Sequence, residues 1–386
     1  MIYMDYNATT PCDKRVLEAM LPYFGDEFGN PSSLYQSART AKKAVEKARA
    51  DIAVLLGCAP EEIFFTSGGT EADNWAIKGA AFQLKDKGRH IITSRIEHHA
   101  VLNTCKSLEK VGYEVTYLPV DKYGVVDIEE LKNSVRKDTV LITIMYANNE
   151  IGTIQPVKEI AETVKEKGVY FHTDAVQAAG KIPLSVKELG ADMLSLSGHK
   201  FYGPKGVGAL YIKKGVKIAP FMYGGEQEKG KRAGTENVPG IAGIGKAAEI
   251  AAKEMVEEEV RIKKLRDRLE AGIKDRIPEI VVNGHPEQRL YNTLNLCIKH
   301  IEGEGILLHL DFEGICASSG SACTSGSLEP SHVLLAIGLP HEIAHGSLRL
   351  SLGKHNTEQD VDRVLEVLPG IASKLREISP FWNKGK

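Results

Sequence analysis

No apolar run in this 386-residue chain approaches the roughly 20 residues that a bilayer span requires, so a membrane-crossing helix is not expected. An excess of one charge is also missing. With 49 Lys and Arg against 51 Asp and Glu, the formal net charge is -2, which gives no electrostatic reason to expect nucleic acid or an anionic membrane as partner. The N-terminal MIYMDYNATTP lacks the basic-then-apolar order of a secretory signal, and a cytoplasmic location is expected. The six cysteines (Cys12, Cys58, Cys105, Cys297, Cys316 and Cys323) contain no C-x-x-C pair, which excludes a zinc-ribbon spacing and argues against a disulfide framework. Internal repeats and low-complexity tracts are absent as well. What is left is an ordinary globular composition, 42% hydrophobic and 26% charged, in a chain long enough for a large core and a second, smaller domain.

Between about Glu62 and Ile212, β-rich runs alternate with helical stretches. EIFF, HIIT, YEVTYLPV, VLITIMY, VYFHT, DMLSLS and GVGALYI read as buried strands, and segments such as VKEIAETVKEKG, closed by Gly168, carry helical periodicity. This alternation predicts a large α/β domain whose mainly parallel seven-stranded sheet has helices on both faces. After Pro239 comes a long charged helix, roughly Ile241 to Arg276, with Ile262, Leu265, Leu269 and Ile273 on its apolar stripe. Shorter strands and a last helix from Thr357 then predict a small α+β domain. The expected division is 13–257 and 258–386, with residues 1–12 packing on the smaller unit.

Ligands of such sheets lie beyond the carboxyl ends of the strands. EIFF runs into TSGGTEADN, a Ser/Gly turn opening a helix, which suits a phosphate or is ordinary capping. VYFHT ends at Asp174, with Gln177 close behind; the carboxylate could hold a protonated ring nitrogen or cap a helix. DMLSLS runs into Gly198, His199 and Lys200, a lysine placed to form a Schiff base with a carbonyl cofactor or, more ordinarily, to face solvent. A phosphate cradle, a carboxylate and a lysine on one edge are the three partners of pyridoxal phosphate, and their coincidence points to an enzyme that uses it. A separate question is set by SSGSACTSGS, residues 318–327, where Cys323 stands among small residues that fill no core. A thiol there is an accident of a loop or a nucleophile that travels.

The motifs MDYNATTP, GNPSS, TSGGTEADN, EHHAVL, ANNEIGTIQP, FHTDAVQAAGK, SLSGHKFYGPKGVGALY, RAGTEN, SSGSACTSGSLEPS and SLRLSLGKHNTEQD, nearly end to end, resemble the cysteine desulfurases of iron–sulfur cluster assembly. These belong to the class V aminotransferase group, of the type I pyridoxal-phosphate fold. The resemblance implies a homodimer that converts L-cysteine to L-alanine and passes sulfur to an iron–sulfur scaffold or other acceptor. It makes Lys200 the Schiff-base lysine and His98 the imidazole stacked on the ring. Asp174 pairs with the ring nitrogen and Gln177 with the phenolic oxygen. Gly69, Thr70, Ser197 and His199 hold the phosphate, joined by Thr235 of the neighbouring subunit. Asn149 and Arg349 bind the substrate carboxylate. Cys323 becomes the nucleophile that keeps the sulfur as a persulfide, its loop flexible enough to reach an acceptor, where it could share a scaffold-bound cluster. The long loop resembles the nitrogenase and housekeeping subgroup, with selenocysteine lyase activity a lesser reading of the same chemistry.

Three positions depart from the family pattern. Tyr35 and Ala38 stand where histidine and glycine are usual, which predicts altered packing near the cofactor entrance without loss of activity. Glu226 stands where a third glycine is common, which bears on the loop or the dimer contact. Two other readings compete. HEIAHG, with His341, Glu342 and His345, matches the zinc-protease signature, yet Pro340 and Gly346 leave room for barely one helical turn. His98–His99 are adjacent and point apart, so they are not expected to bind metal together; no intrinsic metal is expected. A non-catalytic relative is disfavoured because both Lys200 and Cys323 are present.

Overall fold

The computed structural model describes residues 1–165, 167–319, 329–380 and 382. Cys323 lies outside the described residues. The chain begins with strand β1 (Ile2–Tyr3) and then builds the seven strands read from the sequence: β2 (Ile63–Thr66), β3 (His90–Ser94), β4 (Glu114–Leu118), β5 (Thr139–Thr143), β6 (Tyr170–Asp174), β7 (Met193–Ser197) and β8 (Gly208–Ile212). They form one sheet in the order β2-β8-β7-β6-β5-β3-β4. Strand β8 runs antiparallel to both its neighbours and the remaining pairs are parallel. Two reversals across β8 restore the direction of β2, so the carboxyl ends of β2, β7, β6, β5 and β3 share one edge.

Six of these strands are buried along their whole length or all but one residue, as a sheet covered on both faces demands. The period of two sorts their side chains: Phe64, Met193 and Leu210 pack on Trp75 and Ile77 of the helix Gly69–Gln83, while Phe65, Leu194, Ala209 and Tyr211 face Val45 and Ile52 of the helix Gln36–Leu56. Strand β4 corrects the sequence reading. Only Leu118 of its five residues is buried, whereas the opposite edge strand, β2, is buried throughout.

The long helix spans Val238–Arg276, 39 residues or about 58 Å. It starts three residues before the predicted Ile241: the Asn237 side chain accepts from Gly240 N–H, and Pro239 is tolerated in a first turn whose N–H groups have no helical partner. Its first half packs into the core beneath the large sheet through Ile241, Ile244 and Ala248. Ile262, Leu265, Leu269 and Ile273 enter a second core. That second core lies against the antiparallel sheet formed by β9 (Ile280–Asn283), β10 (Thr293–Ile298) and, after the short β11 (Ile315–Cys316), β12 (Ser347–Ser351), in the order β12-β10-β9. Strand β1 pairs in parallel with β11, and Met4 is buried in the same core. No helix of the described residues is long and apolar enough to cross a membrane.

Candidate active site at the carboxyl edge of the large sheet

Strand β2 ends at Thr66, and the turn Ser67–Gly68 delivers the chain into the helix that starts at Gly69. A Cβ on Gly69 would lie 2.6 Å from Val176 Cγ2 and 3.6 Å from Ser197 Cβ, so only glycine lets this helix start press against the ends of β6 and β7. The exposed first N–H groups and the positive end of the helix dipole make an anion cradle, with Thr70 exposed beside it and Ser197 buried beneath. Ser67 Oγ donates to Glu71 Oε2 over 2.5 Å, and Glu71 receives both Arg232 Nε (2.8 Å) and Nη2 (3.2 Å). The loop carrying the exposed Thr235 is thereby tied to the first turn of this helix. His199 contacts Thr9 Oγ1 through Nδ1 at 3.1 Å, and its carbonyl accepts from Thr10. Burial first, then the Lys200 amine, pulls its ring down to about 4.

Asp174 closes β6, 6% exposed, with Oδ1 accepting the Val176 N–H at 2.9 Å. Burial pushes its carboxyl up to about 6, against the opposing pull of that N–H and of Lys200. A protonated ring nitrogen beside such a carboxyl would favour its charged form. Two further buried acids, Asp73 and Glu97, are pushed up first by burial and then by the nearby Asp174, and sequence reasoning missed both. Charged residues are expected at the surface, and the alternation of apolar residues carries no mark of a buried acid. Asp73 Oδ1 has no hydrogen-bond partner. Glu97 takes the Ser94 hydroxyl (2.6 Å) and the Met145 N–H (3.0 Å), yet burial still drives it up to about 8. Folded Glu97 therefore keeps its proton to about 8, whereas an unfolded glutamate loses it near 4.5, so stability falls as pH rises through that window. Urea titrations of the apoprotein are expected to show a decline from pH 5 to 8 that Glu97→Gln reduces by roughly 1–3 kcal/mol. An unchanged slope would place the proton elsewhere.

His98 caps the helix His99–Glu109 by accepting the Ala100 N–H on Nδ1 at 3.1 Å. That bond puts the ring proton on Nε2. Burial, followed by the nearby Lys200, pulls the imidazole down to about 4 and keeps it neutral at pH 7. His99 opens the helix and lies against His332, with ring centroids 4.8 Å apart and planes tilted by 44°.

Lys200 ends a single 3-10 turn, Gly198–Lys200, directly after β7. Its Nζ donates to the backbone carbonyls of Asn7 (2.6 Å) and Ala8 (2.7 Å). Gln177 Nε2 donates to the same Asn7 carbonyl at 2.9 Å. The N-terminal segment thus crosses the site, a role not read from the sequence although MDYNATTP was singled out there. The only signal was the motif itself, since the contacts span 170 to 193 positions.

Arg349, on β12, sends Nη1 to the Asn149 carbonyl (3.0 Å) and Nη2 to Asp5 Oδ1 (2.8 Å), while its buried Nε has no partner. The Arg349 backbone also bridges Ser318, N–H to carbonyl at 2.6 Å and back at 3.2 Å. Beyond the undescribed segment, the Ser331 hydroxyl donates to the buried carboxyl of Glu150, next to Asn149. Both described flanks of the Cys323 segment are therefore fastened beside Asn149 and Arg349. The buried thiols of Cys105 (up to about 12) and Cys297 (up to about 11), and the half-buried Cys58 (about 12), are held protonated by burial. The HEIAHG segment is one turn, His341–Ala344, and among the described residues no group of three or more His, Cys, Asp or Glu could hold a metal ion. Glu226 has φ -87°, so a side chain is accommodated without strain, and Ala38 is fully buried.

An aldehyde, a ring nitrogen and a phosphate on one molecule are what this edge can hold together, which defines an enzyme dependent on pyridoxal phosphate. The chain belongs to the class V aminotransferase family, whose description, Aminotransferase class-V, matches residues 2–364. It is 63% identical over 383 residues, 99% of this chain and 95% of the relative, to a cysteine desulfurase IscS of Methanosarcina thermophila. To a protein of the same name from Clostridium botulinum it is 59% identical over 383 residues, covering 99% and 96% of the two chains. A solved structure described as a NifS-like protein superposes with a TM-score of 0.92 at 45% identity, over 97% of this chain and 100% of that one.

Proposed function

We propose that the protein is a cysteine desulfurase, which converts L-cysteine to L-alanine and keeps the sulfur as a persulfide on Cys323 for an iron–sulfur scaffold. The observation that carries the reading is the bridge between Arg349 and Ser318, which fastens a carboxylate-binding guanidinium to the flank of the segment bearing Cys323. The cofactor fits the site: Lys200 would hold its aldehyde carbon, Asp174 its ring nitrogen, Gln177 its phenolic oxygen, and Gly69, Thr70, Ser197 and His199 its phosphate, with His98 against the ring. When bound, it draws electrons from the substrate α-carbon and acidifies the hydrogen there.

The chain's own residues do the rest. Arg349, whose Nε lacks a partner, binds the substrate carboxylate together with Asn149, exchanging Asp5 for the ligand. Lys200 Nζ takes and returns the α-proton, and neutral His98 keeps its Nε2 proton and donates it only as a hydrogen bond. The Cys323 thiolate bonds to the substrate sulfur as the Cβ–S bond breaks. The sulfur stays on Cys323 as S–SH, the electron pair stays on Cβ, and Cβ takes up the proton that the Cys323 thiol gave up.

The partner-facing part of the reading rests on the RAGTEN loop. Thr235 is exposed, and a cleft of about 680 Å³ lined by Glu226, Gln227 and Glu236 flanks it, consistent with a homodimer in which Thr235 reaches the neighbouring phosphate. Residues 13–257 would carry the cofactor, and 258–386 with 1–12 would close over the substrate, in the cytoplasm.

Purified protein supplied with pyridoxal phosphate and cysteine should form alanine, with equal sulfide released by a reductant. Absence of alanine overturns the reading. Arg349→Lys, which loses the forked contact, is expected to raise KM for cysteine by roughly 10- to 100-fold with a smaller change in kcat. An unchanged KM would assign the carboxylate to another residue.

A further inference from the structure

Lys181 is buried, 6% exposed, and lines one small cavity together with Lys200, and the mechanism above leaves it unused. It follows Gly180, whose φ of +74° and close approach to Phe201 (a Cβ would lie 2.5 Å from Phe201 Cβ) bring this segment against the residue that follows Lys200. Its Nζ donates to Gln177 Oε1 at 2.8 Å and to Asn7 Oδ1 at 3.3 Å. Burial, and then the positive charges of Lys200 and Arg349, hold the amine well below the usual lysine range.

Asn7 is the other half of the arrangement, and its bonds reach both sides of the site. Its Oδ1 also accepts from Asn292 Nδ2 (3.0 Å), and its Nδ2 donates to Thr293 Oγ1 (2.8 Å) and the Asn149 carbonyl (3.1 Å). Its backbone N–H goes to Ser351 Oγ (2.9 Å), and its carbonyl takes Gln177 and Lys200. With Gln177 Oε1 held by a donor, the amide cannot flip, and its NH₂ group is the end left to face a phenolic oxygen. The same Asn7 carries one of the two carbonyls that receive the Lys200 amine.

We infer that Lys181 and Asn7 are positioning residues of this active site: their side-chain hydrogen bond fixes the amide of Gln177 and the carbonyls that hold Lys200, and links the cofactor side to the Asn149–Arg349 side. The inference rests on Gln177 and Lys200 contacting the cofactor, as proposed above.

The test uses holoenzyme carrying Lys181→Met or Lys181→Gln. With Lys181→Met, the pH midpoint of the visible cofactor band should move by about one unit, with kcat down roughly tenfold and KM for cysteine within about twofold. Lys181→Gln, which keeps an N–H donor, should recover most of both. Should Lys181→Met fail to fold, Lys181→Gln and Asn7→Ala carry the comparison, with Asn7→Ala moving the midpoint in the same direction. A wild-type midpoint together with wild-type kcat in Lys181→Met overturns the inference while the desulfurase reading stands. A Lys200→Ala protein whose visible band is unchanged sinks that reading instead, whatever Lys181 does. Equal loss in Lys181→Met and Lys181→Gln, with no movement of the midpoint, makes Lys181 a packing residue only and also overturns the inference.

Discussion

Lys200→Ala is expected to lose alanine formation from cysteine by on the order of 10⁴-fold, and the purified variant to lose the yellow band given by the covalently held cofactor. The size follows from the two jobs proposed for this one amine, holding the cofactor's aldehyde carbon and moving the α-proton. No neighbour can take them over. Lys181, a buried amine, donates to Gln177 and Asn7. His98 is neutral, with Nδ1 occupied by Ala100. The loss is not expected to be one of folding: the amine donates to the carbonyls of Asn7 and Ala8, and Asn7 retains Gln177 as donor. A cost of about 1 kcal/mol or less is expected from that change, read as nearly unchanged urea unfolding of the apoprotein. Methylamine added to the variant should restore part of the proton transfer, which a folding defect would not allow. A variant with the parental visible spectrum would remove Lys200 from the chemistry.

The parts of this site legible in the sequence are those that sit at strand ends. Asp174, Ser197 and Lys200 follow runs whose apolar pattern fixes where a strand stops, and the parallel arrangement then brings those stops to one edge. The Gly69 cradle is legible for the same reason. What could not be read is what depends on contacts distant along the chain. Asn7 bonds to residues 142 to 344 positions away, and nothing local to MDYNATTP marks it as the junction of both halves. Lys181 and Asp73 were hidden by the general expectation that charged side chains face water. Period-two patterning also did not show how little of β4 is buried. Arg349 is intermediate: its strand was legible, whereas its part in carboxylate binding came from the resemblance, and only the structure shows its unpartnered Nε.

Cys323→Ser should still bind cysteine, seen as a change in the cofactor band on adding substrate, yet release sulfide more slowly by roughly 10³-fold or more. A hydroxyl at that position is a far poorer nucleophile toward sulfur than a thiolate, and the sulfur has nowhere else to go. Four of the five described cysteines are poor substitutes. Cys105 and Cys297 are buried, and burial holds their thiols protonated up to about 12 and about 11. Cys58 is likewise pushed up to about 12, first by burial and then by Glu62. Cys12 is exposed, but burial of its sulfur and the adjacent Asp13 raise it too. The flanks of the Cys323 segment should be unaffected, because Ser318 is bridged to Arg349 through backbone and Ser331 to the Glu150 carboxyl. Cysteine affinity and the visible spectrum are therefore expected to stay close to those of the parent, which separates loss of the nucleophile from loss of the substrate site. Mass spectrometry after one turnover, without reductant, should find the parent protein heavier by one sulfur atom at the peptide containing Cys323 and the variant unmodified. Normal sulfide release from the variant, or the added sulfur on another cysteine of the parent, would take the persulfide away from Cys323.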